Sequence, residues 1–158
     1  MATRLPLEVS AALADRADTL RARAEGRVLD LAETDLADAD GEYETIFSFV
    51  QTPFVRDLDR FCAQLRDHLA PDGTLYLLEP TVRTGQLGRA LAFGGRLARP
   101  VTGLHLDRDV PQAVRRAGLF VTDLDRFEIA SVAAPLRPFV EAWARFPTPA
   151  PDRDDDVS

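Results

Sequence analysis

Few side chains in this sequence could do chemistry alone. The two histidines, His68 and His105, stand far apart, and Cys62 is the single cysteine, so neither a clustered metal-ligand set nor an internal disulfide is available. There is no Gly-x-Ser-x-Gly nucleophile turn and no phosphate-cradling glycine loop. Cys62 falls on the apolar side of a helix-patterned stretch, where it reads as a buried thiol and not a nucleophile. His68 falls on the polar side of the same stretch, which suits a solvated ring. His105 opens a loop before Asp107-Arg108-Asp109, where a structural contact is weighed against a substrate contact. The acids at informative places are Asp30 and Glu79, each inside or at the end of a short apolar run.

The elements that must position them are well punctuated. Thr45 to Val50 (TIFSFV) and Thr74 to Leu78 (TLYLL) read as strands buried on both faces. Between them Leu58, Phe61, Cys62, Leu65 and Leu69 fall at helical spacing, with arginines and aspartates opposite. Pro71-Asp72-Gly73 is expected to end that helix and turn the chain, making a right-handed parallel βαβ unit. Upstream, Leu7 to Glu25 predicts a helix with Val9, Leu13, Ala17, Leu20 and Ala24 inward, stopped by Gly26, and Arg27 to Leu31 a short strand. Downstream, Asp109 to Ala117 predicts a helix closed by Gly118, and Phe120 to Ile129 and Arg137 to Trp143 the last two strands. Trp143 suits core or edge cover better than a stacking platform. In open α/β sheets of this kind, ligands bind beyond the carboxyl ends of the parallel strands, here Leu31-Ala32-Glu33, Ser48-Phe49 and Glu79-Pro80.

Leu69-Ala70-Pro71-Asp72-Gly73 and Leu78-Glu79-Pro80 resemble the "L+PGG.l...EP" segment around the fifth strand of class I S-adenosylmethionine-dependent methyltransferases. Thr102 to Asp109, followed by Ala117-Gly118-Leu119-Phe120, resembles the "G.hltrd...l..AGF" segment of the small-molecule, quinone-methyltransferase-like (type 11) branch. The likeness spans about Gly26 to Arg145. It implies a Rossmann-like α/β sheet and S-adenosylmethionine as cofactor, with no metal. It places Asp30, Ala32, Glu33, Ser48 and Phe49 at the vestige of the cofactor site, and Glu79, Arg83 and His105 on the substrate side.

The pattern breaks after the first strand. Relatives have a glycine-rich turn there, which lets the backbone approach the cofactor; this chain has Ala32-Glu33-Thr34-Asp35 and no glycine until Gly41. Ala32 to Glu42 is eleven residues, too few for the two further helices and strands the family inserts. The expected sheet is therefore a truncated one of about five strands, 1-4-5-7-6 in the family's numbering, with the last strand antiparallel. Aligning Arg27 to Leu31 with the family's third strand is the alternative, and it loses the glycine turn as well. Either way strand 27–31 becomes an edge, to be covered by the acidic loop and the N-terminal helix or paired with a second copy or a methyltransferase partner.

At 158 residues, 46% hydrophobic and 28% charged, the chain suits one globular domain, residues 1–146, with a disordered tail at 147–158. No apolar run is long enough to span a membrane and no secretion signal opens the chain, so a cytoplasmic protein is expected. The net charge of -7 argues against nucleic acid, and every Lys/Arg position is arginine. Thr81 to Pro100 carries Arg83, Arg89, Arg96 and Arg99 among apolar residues. It reads as a solvated helix face with linker, or as a wall for an apolar, anionic ligand.

Three functions follow from the resemblance. One is a methyltransferase fold kept as a binding or assembly subunit. Another is a small-molecule methyltransferase completed by a partner or second copy. The third is a repurposed pocket that binds or converts an apolar small molecule. Absence of a catalytic dyad does not separate them, because methyl transfer needs mainly alignment.

Overall fold

The computed structural model describes residues 7–81, 108–130 and 138–149, with side chains from residue 11 onward. Helix α1 (Leu7–Arg21) leads to β1 (Val28–Asp30), a connection holding one 3-10 turn (Leu36–Asp38), and β2 (Tyr43–Phe49). A second 3-10 turn (Thr52–Phe54) precedes α2 (Leu58–His68), which runs directly into β3 (Leu69–Pro80). Helix α3 (Val110–Arg116) and the strands β4 (Phe120–Glu128) and β5 (Pro138–Arg145) complete the described part.

The strands form one sheet in the order β1-β2-β3-β5-β4. β1, β2 and β3 are mutually parallel, and β5 runs antiparallel to β3 and to β4. This is the five-strand order expected from the resemblance. β1 lies directly beside β2, so it holds the place of the family's first strand; the third is separated from the fourth by two others, and the alternative alignment is set aside.

Period-two alternation distributes side chains to two cores. Ile46, Leu75, Leu77, Val140, Ala142 and Ala144 face Phe61, Cys62 and Leu65 of α2 and Val110, Ala113 and Val114 of α3. Phe47, Phe49, Tyr76, Leu78 and Phe139 face Leu13, Ala17 and Leu20 of α1. Helices on both sides explain why β2 and β3 read as unbroken apolar runs.

Arginine stacking reinforces the α1 side. The guanidiniums of Arg16, Arg21 and Arg23 lie over the rings of Phe127, Phe49 and Trp143, at 3.7, 5.0 and 4.3 Å from the centroids. Arg16 also bridges Asp125 and Glu141 at 3.0 and 2.8 Å. Trp143 is half-buried edge-on to Tyr76, as core cover. α1 ends four residues before the expected boundary, Ala24 is exposed, and Gly26 turns the chain at φ +62.

Pro71-Asp72-Gly73 behaves differently from expectation. The helix stops at His68 without it, and the ladder pairs Tyr43 with Leu69 and then Thr45 with Thr74. Ala70 to Gly73 therefore bulge within β3 opposite the single residue Glu44, and their turn chemistry serves the bulge. A Cβ at Gly73 would stand 3.0 Å from the carbonyl oxygens of Ala70 and Tyr43, which accounts for the glycine.

Candidate functional site

Two networks occupy the carboxyl ends of the parallel strands, one on each face of the sheet. On the α2 face Glu79 is wholly buried. Its Oε1 accepts from Ser48 Oγ at 2.6 Å and from the Gln51 amide at 3.1 Å. Its Oε2 accepts from the Thr52 amide at 3.1 Å and from Thr52 Oγ1 at 2.9 Å. Burial pushes this carboxyl up to about 7, against four hydrogen bonds that each favour the ionised form. The acid clips the segment leaving β2, where Val50 takes φ 51, a left-handed conformation costly for a β-branched residue. Arg108 holds the same segment from outside, donating to the carbonyls of Thr52 at 3.4 Å and Arg56 at 2.9 Å.

On the α1 face Asp30 closes the turn after β1. Its Oδ2 accepts from Arg21 Nε at 2.8 Å and its Oδ1 from the Ala32 amide at 2.9 Å. Its carbonyl accepts from the amides of Glu33 at 3.0 Å and Thr34 at 2.9 Å, while the Leu31 amide donates to Phe47. Ala32 and Glu33 are exposed.

Of the residues singled out from sequence, the fold joins Ser48 to Glu79 and joins Asp30 to Ala32 and Glu33. The two sets are divided by the sheet. Phe49 packs into the α1 core against Phe47 and under Arg21. Arg83, His105 and the arginine-bearing segment around them lie outside the described residues, as does most of the acidic tail. Cys62 is buried and its thiol is pushed up to about 12, chiefly by loss of solvent, which fits a structural thiol. His68 is half-buried and not simply solvated: its Nδ1–H donates to the Gly41 carbonyl at 2.8 Å, pinning the connection before β2. Sequence reasoning missed Gln51, Thr52 and Arg21. Gln51 acts through its backbone amide, which carries no sequence signal, Thr52 adds its hydroxyl to its amide, and Arg21 is one arginine among many on its helix.

No family model matches the sequence, and neither does any curated protein. Solved structures do resemble it. A candidate methyltransferase of Bacillus halodurans superposes with a TM-score of 0.62 at 12% identity, over 85% of this chain and 100% of that one. The chain has a methyltransferase fold. A chain of the complex between the Haloferax volcanii Trm112 methyltransferase activator and a candidate methyltransferase gives 0.53 at 13% identity, over 93% of this chain and 100% of its own. A candidate sarcosine dimethylglycine methyltransferase of Galdieria sulphuraria gives 0.53 at 11% identity, over 71% of this chain and 57% of its own.

The resemblance read from the sequence implies S-adenosylmethionine, and the β1 turn tests the fit. The amides of Ala32, Glu33 and Thr34 are all spent on Asp30, and the Asp30 carboxylate is spent on Arg21. A cofactor carboxylate arriving here would meet no backbone donor from these residues and would face the anion of Glu33. These residues do not fit the group.

Proposed function

We propose that this methyltransferase-like chain is a binding or assembly subunit that does not hold S-adenosylmethionine by itself. The observation that carries this reading is the β1 turn, whose amides are satisfied internally by Asp30. Opening it would break the Asp30–Arg21 pair, the bond from the Ala32 amide to the Asp30 carboxylate and two backbone bonds before any ligand contact formed. Titration calorimetry of the purified chain with S-adenosylmethionine and S-adenosylhomocysteine is the test. The expected result is no binding by a folded protein; micromolar binding would overturn the reading and make the enzyme reading the leading one.

A second reading, completion by a partner or a second copy through strand 27–31, is favoured by the β1 edge. Arg27 and Leu31 bond β2, so by the period of two Val28 and Asp30 direct their amides outward, and Val28 is 41% exposed. The opposite edge, β4, is guarded by Asp123, Asp125, Arg126 and Glu128 and by an irregularity between Val121 and Asp123. The Haloferax neighbour, seen with a methyltransferase activator, supports a partner of that kind. Co-purification with a full-length methyltransferase that gains activity would establish this second reading.

A further inference from the structure

We propose that the depression between the starts of α2 and α3 binds a dianionic phosphoryl group. It has a volume of about 730 Å³ and is lined by Arg56, Arg60, Arg108 and Arg116, with Asp57, Asp59, Asp109 and Leu58. The lining carries four guanidiniums against three carboxylates, a net charge of +1 in a chain of net charge -7, so the hollow still runs against the average field of the molecule.

Each carboxylate present has a partner, and among the described residues Asp59 is the one paired with a cation. Asp57 accepts from the Arg60 amide at 3.0 Å and Asp109 from the Gln112 amide at 3.1 Å, so both helix starts are capped by the protein itself. Asp59 takes Nε and Nη2 of Arg116 at 3.1 and 2.8 Å. The guanidiniums of Arg56 and Arg60 meet no carboxylate among the described residues. The attraction therefore comes from side-chain cations and not from the helix ends. Two such charges match one phosphomonoester, which carries nearly two negative charges at neutral pH and offers oxygens spaced for the guanidinium fork.

The site is also built on a fixed base. The segment from Thr52 to Arg56 is held from below by Glu79 and from outside by Arg108, so the backbone carrying Arg56 is preorganised. It lies at the carboxyl end of the sheet, where α2 leaves β2, on the face opposite the Asp30 turn. Phosphate binding is thus independent of S-adenosylmethionine binding, and either can fail without the other.

The test is titration calorimetry of the full chain with inorganic phosphate, beside cosedimentation with phosphatidylcholine vesicles containing phosphatidic acid. Circular dichroism confirms that each variant is folded. Arg56→Gln/Arg60→Gln should weaken binding by about tenfold or more, as expected for lost charge-assisted bonds. Arg115→Gln, on α3 but outside the lining, should leave it unchanged. Binding of phosphate that the double variant loses supports a soluble phosphorylated ligand; binding of vesicles alone, lost in the same variant, supports a lipid phosphate. No binding of either probe, or equal binding by the folded double variant, overturns the proposal.

Discussion

Glu79 is the residue on which the site's integrity depends. Replacing it with alanine leaves Ser48 Oγ, Thr52 Oγ1 and two amides buried without their acceptor, and should cost about 3–5 kcal/mol in denaturant unfolding. Glutamine keeps one acceptor oxygen and should cost roughly half as much. Burial raises this carboxyl from 4.5 to about 7 in the folded state. Between those values the native state holds the proton more tightly than the unfolded chain does. The contribution of this group is therefore full below pH 4.5 and falls as pH rises through 7, by an amount on the order of 3 kcal/mol. The stability gap between the wild type and Glu79→Gln should narrow from pH 5 to pH 8 when urea midpoints are compared; a gap independent of pH would contradict it. In the sequence Glu79 and Ser48 were legible as strand-end residues, but not as each other's partners. That pairing comes from register, which places Ser48 beside Leu77 and both beneath the loop that Glu79 clips.

Among the elements, most strands and helices were legible because they are bounded by residues with a fixed conformational meaning; the junction of α2 with β3 at His68 and Leu69 has no such residue. Gly26 marks the corner between α1 and β1. A Cβ there would lie 2.8 Å from Glu44, whose Oε2 accepts from the Arg27 amide at 2.7 Å, and φ is +62. Gly26→Ala should destabilise by about 2 kcal/mol, read as a lowered midpoint in thermal unfolding. Leu20, 1% exposed, anchors α1 to the sheet, and Leu20→Ala should cost about 2–5 kcal/mol in the same assay. The bulge at Ala70 to Gly73 was not legible. Proline, aspartate and glycine favour a turn wherever the chain needs to bend, and sequence alone does not say whether the bend separates two elements or interrupts one.

For the molecule as a whole, the sheet order was legible from chain length: twelve residues between β1 and β2 leave no room for further strands between them. Which edge stays open was only half legible. The charges of β4 are plain in the sequence, but its place at the far edge and the exposure of Val28 at the near one come from the sheet order. If the β1 edge recruits a partner strand, Val28→Lys should keep the fold and abolish concentration-dependent association measured by light scattering. A wild type that stays monomeric at high concentration would remove self-pairing. The stacking of arginines in and just after α1 on the sheet carries one practical consequence. Trp143 is the chain's single tryptophan, and it sits under Arg23 and against Tyr76. Its fluorescence is thus a built-in optical reporter of whether the N-terminal helix is seated, readable separately from the circular dichroism of the sheet.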